Sequence, residues 1–175
     1  MPISSRNFNA ISIGKSHQKI GRWVFVMDKL GKFRFDRATL VKEWVVSIQT
    51  PILSIPQLTE VMRKRLSLIQ GHYDCCIFIS GEGEQQFRSL KGSHGGAENM
   101  IQSVRTANIV ISIPTDENIL QEVFTLVYEH HVHEEPTIRV TEVWGARSNY
   151  IDDEDNPHKY WNRRDAAEIH GKAIG

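Results

Sequence analysis

Five residues with chemistry to offer stand almost side by side in this sequence: His130, His131, His133, Glu134 and Glu135, within the run from Tyr128 to Trp144. Imidazole nitrogens and carboxylate oxygens suit zinc, copper or nickel, and ligands close together in sequence lower the cost of ordering a site. If residues 131–135 are extended, alternation puts His131, His133 and Glu135 on one side, while His130 stays on the preceding helix. These three are the candidate metal ligands, for a divalent ion. The competing reading is structural. A helix favours a cationic His in its last turn, against the negative end of its dipole, and Glu134 and Glu135 then open a strand behind a turn stopped by Pro136.

A second cluster lies in the Gly-rich stretch from Gly81 to Gly96, where Arg88, Lys91, Ser93 and His94 precede Gly95 and Gly96. Backbone N–H groups flanked by cationic side chains make a concavity for an anion. Arg88, Lys91, Ser93 and His94 are therefore the candidate residues for a small-molecule ligand. Glu82 and Glu84 oppose an anion, and a surface loop of this composition needs no ligand. The third cluster is Tyr73-Asp74-Cys75-Cys76. A reactive thiolate needs a neighbouring cation or helix start, which His72 or His133 would have to supply, and a Cys–His hydrolase needs an orienting third group that the sequence does not place. The plainer expectation is one Cys in the core and the other facing a polar neighbour. Gly14-Lys15-Ser16 is not a phosphate loop, because that motif needs Gly where Asn9 stands. No catalytic residue is assigned.

The bulk properties narrow the classes. Lys+Arg and Asp+Glu are both 21 in 175 residues, and a zero formal charge argues against a general nucleic-acid binder. Cys75 and Cys76 are the sole cysteines; adjacent residues cannot found a disulfide scaffold, which points to a reducing compartment and a cytoplasmic location. No apolar run approaches the roughly 18 residues of a membrane span, and no signal-peptide core opens the chain.

The elements that position these clusters follow from periodicity. Residues 1–20 read as a polar arm. Trp23–Met27 and Phe33–Phe35 flank a Gly-containing gap and read as a hairpin with an aromatic face. Trp44–Gln49 is a strand. Ser54 caps a helix with Pro56 in its first turn, a stripe of Leu58, Val61, Met62, Leu66 and Ile69, and Gly71 at its close. Tyr73–Ser80 reads as a strand apolar enough to be central, and Gly81–Gly96 as a long loop. Thr106–Ile113 is a strand with Ala107, Ile109, Ile111 and Ile113 on one face. Thr115 caps a helix buried through Ile119, Leu120, Val123, Leu126 and Val127, and Thr137–Trp144 is the last strand. An acidic linker, Asp152–Asp155, then leads to a terminal helix over Tyr160–Lys172, stopped near Gly171. The order is strand-helix-strand twice over: an α+β, ferredoxin-like βαββαβ sandwich. The expected division is a hairpin extension over 1–43, the domain over 44–148, and an acidic linker with C-terminal helix over 149–175.

Three stretches, in order, carry a family resemblance. Gly71-His72-Tyr73-Asp74-Cys75-Cys76 resembles G-x-Y-D-x-C; Gly81-Glu82-Gly83, Phe87-Arg88 and Gly92-Ser93 resemble G-x-G…F-R-P…G-S; His131-Val132-His133-Glu134-Glu135-Pro136 resembles H-P-Y-E-E-P. Together, over about residues 44–145, they are similar to the small CutA-like (PII-like) domain that also occurs as an insert in the Nif-three-like, or GTP cyclohydrolase 1 type 2 homologue, family. The resemblance implies a ferredoxin-like fold of the kind that trimerises, with ligands received at subunit clefts beside the long loop. It departs at His133, Val132 and Ser89, which replace Tyr, Pro and Pro. The dinuclear metal site of the full-length relatives belongs to their flanking domains, so their hydrolase activity is not carried over. The leading expectation is a non-enzymatic homo-oligomer, a trimer, binding a small ligand or divalent metal between subunits. A metal-assisted hydrolase using His131, His133 and Glu135, and a structural interaction module, are the alternatives.

Overall fold

The computed structural model describes residues 29–151 and 154–173. The chain divides into two units after Arg34. In the first, residues 29–31 form one helical turn, with the Lys32 N–H donating to the Lys29 carbonyl at 3.2 Å. The polar arm, Gly14–Ser16 and the first hairpin arm at Trp23–Met27 lie outside the described residues. Phe33–Phe35, expected as the second arm, is not a strand; Phe35 forms an isolated bridge to Ala38.

The second unit holds a five-stranded antiparallel sheet. Strand β1 (Ala38–Pro51) is followed by helix α1 (Ile55–Arg65), β2 (Phe78–Ile79), β3 (Gly83–Phe87), β4 (Gln102–Pro114), α2 (Glu117–His130), β5 (Thr137–Ser148) and a short α3 (Ala166–His170). β1 is central, with β4 on one side and β5 on the other, and β2 and β3 both pair with the far side of β4. Each helix therefore joins two strands with a third inserted between them, which is the split βαβ arrangement doubled. The fold class is the expected α+β one.

Register explains the core. Opposed residues in an antiparallel pair share a face, and Val46, Ile48 and Thr50 stand opposite Ile111, Ile109 and Ala107. All six are buried, and they close against Leu58 and Met62 of α1 and Val123, Leu126 and Val127 of α2. Each fully buried Ile, Leu or Met there contributes about 1.5–3 kcal/mol. The other face of the sheet carries Val45, Ser47, Gln49, Asn108, Val110 and Ser112, all half-buried, with no helix over them among the residues of that core.

Several expectations are corrected. β1 starts six residues before Trp44. α1 ends at Arg65 rather than near Gly71, and Ile69 is exposed. Asp116, not Thr115, caps α2, its carboxylate accepting the Asn118 N–H at 2.8 Å. Tyr73–Ser80 is not a central strand: Phe78 and Ile79 alone form β2, at the edge and exposed. The Gly-rich loop contains a strand, β3. The terminal helix is two pieces, a 3-10 turn at Tyr160–Asn162 and α3, the latter ending at Gly171 with φ +88°.

Candidate functional site

The run from His130 to Glu135 is the end of α2 and the turn into β5. His131 is the C-cap residue, its N–H donating to the Val127 carbonyl at 2.8 Å. Its ring is committed on both sides. Nε2 lies 3.1 Å from the Gln49 carbonyl oxygen, and Nδ1 accepts the His133 N–H at 3.1 Å. An accepting Nδ1 leaves the ring proton on Nε2, donated to Gln49. The His131 and His133 rings meet edge to face with centroids 5.3 Å apart, and the Phe87 ring of β3 lies 6.0 Å from that of His133, also edge to face. Burial, and then the neighbouring His131, hold the His133 pKa below its ordinary value.

The carboxylates go elsewhere. Glu134 takes the His94 backbone N–H at 3.1 Å and the His94 Nδ1 at 3.0 Å. This pairing raises the His94 pKa and lowers that of Glu134, each chiefly through the side-chain hydrogen bond. Glu135 is exposed, and His130 lies 3.8 Å from Glu129. Among the described residues no three His, Cys, Asp or Glu side chains are placed to hold a metal ion. Thus His131 and His133 come together, and Glu135 does not join them.

The loop candidates are placed on the surface. Arg88, Lys91 and His94 are exposed, and half-buried Ser93 donates its hydroxyl to the Gly96 carbonyl within the loop at 2.9 Å. The anion that His94 holds is this chain's own Glu134, so the loop and the His turn are brought together by a contact between themselves. Neither cysteine reaches the core. Cys75 is exposed at φ +55°, and Asp74 pushes its thiol pKa up, by hydrogen bonding first, which opposes thiolate chemistry. Cys76 is half-buried with its thiol 3.7 Å from the Asp74 carbonyl.

A separate cleft of about 820 Å³ opens where β5 ends, between the turn at Gln70–Tyr73 and the segment after β5. His72, Tyr150 and Trp161 line it with Arg37, Arg147 and Lys159. Gly71 makes this packing feasible: it sits at φ +62°, and a methyl group there would overlap the Tyr150 hydroxyl. Beneath the rim, Arg147 pairs with the buried Glu43. Sequence reasoning missed this site because its parts lie some 80 residues apart and share no periodicity.

No protein-family profile and no curated protein matches the sequence. Solved structures do. A Bacillus cereus protein related to NIF3 is similar at 17% identity with a TM-score of 0.51, over 71% of this chain and 32% of its own. This chain spans about a third of that protein's length. CutA1 from Oryza sativa is similar at 17% identity and TM-score 0.43, over 61% of this chain and 84% of its own. The periplasmic divalent cation tolerance protein CutA from Archaeoglobus fulgidus is similar at 14% identity and TM-score 0.43, covering 58% and 83%. At such identities the likeness concerns fold alone: the chain shares the fold of part of the NIF3-related protein, as its motifs lead one to expect.

Proposed function

We propose that this chain is a non-enzymatic, CutA/PII-like domain that assembles into a homo-oligomer, a trimer in the favoured form, and binds a small-molecule ligand in the clefts between subunits. The observation that carries this reading is the pair of unlike edges on the sheet. On one side β5, 12 residues long, has β1 beside it and no strand beyond it among those described. Long unpaired edges invite pairing with another chain. On the other side Phe78 of β2, and Leu90, Met100 and Ile101 around β3, are two-thirds exposed or more, and apolar surface of this kind marks an interaction site. Two different edges that meet make a heterologous contact, which closes into a ring when the rotation allows.

The meeting of the Gly-rich loop with the His turn supports a ligand site beside that contact, with Arg88, Lys91, Ser93 and His94 at its rim. An organic or anionic ligand suits it better than a metal at His131, His133 and Glu135, since His131 uses both ring nitrogens within the protein. Free Cys75 and Cys76 support a reducing, cytoplasmic setting. No helix among the described residues is long and apolar enough to cross a membrane.

Light scattering with thermal shift tests the proposal. The expected result is a trimer whose melting temperature rises with a nucleotide more than with a divalent metal, and a Phe78→Asp variant that dissociates and loses the response. A monomer that responds to none of them contradicts it.

A further inference from the structure

The turn between α1 and β2 carries both thiols of the chain, Cys75 and Cys76, and its backbone brings them to one place. In an extended strand adjacent side chains point to opposite faces. Cys75 instead sits at φ +55°, in the left-handed region, and both thiols turn to the same residue. The Cys76 thiol donates to the Asp74 carbonyl oxygen at 3.7 Å, and the Cys75 thiol is hydrogen-bonded to the Asp74 side chain. The turn that presents them is firmly held. Gln70 and Tyr73 exchange backbone hydrogen bonds of 2.7 and 3.1 Å, and the Cys76 N–H donates to the carbonyl of buried Leu68 at 2.9 Å. Ile77, next in the chain, packs against the core. Cys75 is exposed and Cys76 half-buried, so the pair meets solvent from an anchored backbone.

Three properties narrow what such a pair can take. A disulfide between them is disfavoured, because adjacent Cα atoms lie about 3.8 Å apart and bridged ones usually about 4.4–6.8 Å. Structural zinc takes four ligands, and among the described residues no three His, Cys, Asp or Glu side chains are placed to hold a metal ion. The hydrogen bond to Asp74 holds the Cys75 thiol above its ordinary pKa, and so protonated at neutral pH, whereas a metal ion needs the thiolate. A trivalent arsenical fits all three. It is a soft acceptor that favours sulfur, it needs two thiols from the protein and keeps a third substituent of its own, and its hydroxyl groups take up the thiol protons. We propose that Cys75 and Cys76 chelate a trivalent arsenical. Two As–S bonds form as two As–O bonds break, each thiol proton leaves with an arsenic hydroxyl as water, and arsenic stays trivalent with nothing oxidised or reduced. Once one thiol is bound the second reacts within the same turn at high effective concentration, so attachment at two points outlasts attachment at one.

Intact-mass spectrometry of the reduced full chain treated with phenylarsonous acid, the hydrated form of phenylarsine oxide, tests this. The expected adduct is a single arsenical per chain that has lost both hydroxyls as water. It survives excess glutathione, a monothiol, and is removed by dithiothreitol, a dithiol. Cys75→Ser and Cys76→Ser each leave one attachment point, and glutathione strips the arsenical from both variants. Phe78→Asp keeps the adduct, so failure of the oligomer and failure of this site are told apart. No adduct on the unaltered chain, an adduct that glutathione strips from it, or one that survives glutathione in either single variant overturns the proposal.

Discussion

His131 ties the end of α2 to the central strand, its Nε2 lying 3.1 Å from the Gln49 carbonyl oxygen. The other ring nitrogen receives the His133 N–H, so one side chain ends a helix, orients a turn and anchors both to β1. His131→Ala leaves the Gln49 carbonyl and the His133 N–H without these partners and lowers stability by about 1–2 kcal/mol, measured by urea denaturation. Stoichiometric zinc that is lost in both His131→Ala and His133→Ala would restore the metal reading.

The contact between His94 and Glu134 gives the loop a pH dependence of known sign. The His94 pKa is raised above 6.5, so its contribution is present below 6.5 and is lost as pH rises through the folded value. The Glu134 pKa is lowered below 4.5, so its contribution is present above 4.5 and is lost as pH falls through the folded value. The contact is therefore strongest between about 4.5 and 6.5. An NMR titration finds the His94 imidazole titrating above 6.5, and Glu134→Gln brings it down.

His133 moves the other way. Its pKa is lowered, so the fold is favoured above 6.5 and loses that contribution as pH falls through the depressed value. The same titration separates the two histidines: His94 above 6.5, His133 below it.

Gly71 and Tyr150 are coupled by shape. Gly71→Ala strains a left-handed backbone and drives a methyl into the Tyr150 hydroxyl, costing about 1–3 kcal/mol. In a Tyr150→Ala background the collision is gone and a smaller, purely backbone cost remains, read as a coupling energy from urea midpoints.

What was legible in the sequence was whatever burial writes as a period. Ala107, Ile109, Ile111 and Ile113 alternate because one face of β4 meets the helices, and Val123, Leu126 and Val127 recur because one stripe of α2 meets the sheet. The same logic misled at Cys75-Cys76-Ile77-Phe78-Ile79, whose apolar content suggested a central strand: Ile77 packs against the core, but only Phe78 and Ile79 form a strand, and it is an exposed edge. β3 was invisible because Glu84 and Gln86 are exposed and leave no hydrophobic signal in a Gly-rich run. Asp116 and Thr115 are both good caps, and the chain uses the second residue of the pair. The His turn was visible as chemistry, but its hydrogen-bond partners, Gln49 and His94, are distant in sequence.

The central claim is assembly through the sheet's two unlike edges. Multi-angle light scattering of the purified chain should give three times the 20.1 kDa chain mass, and Phe78→Asp should return it to one. A stable mass of 20.1 kDa for the unaltered chain would contradict the account.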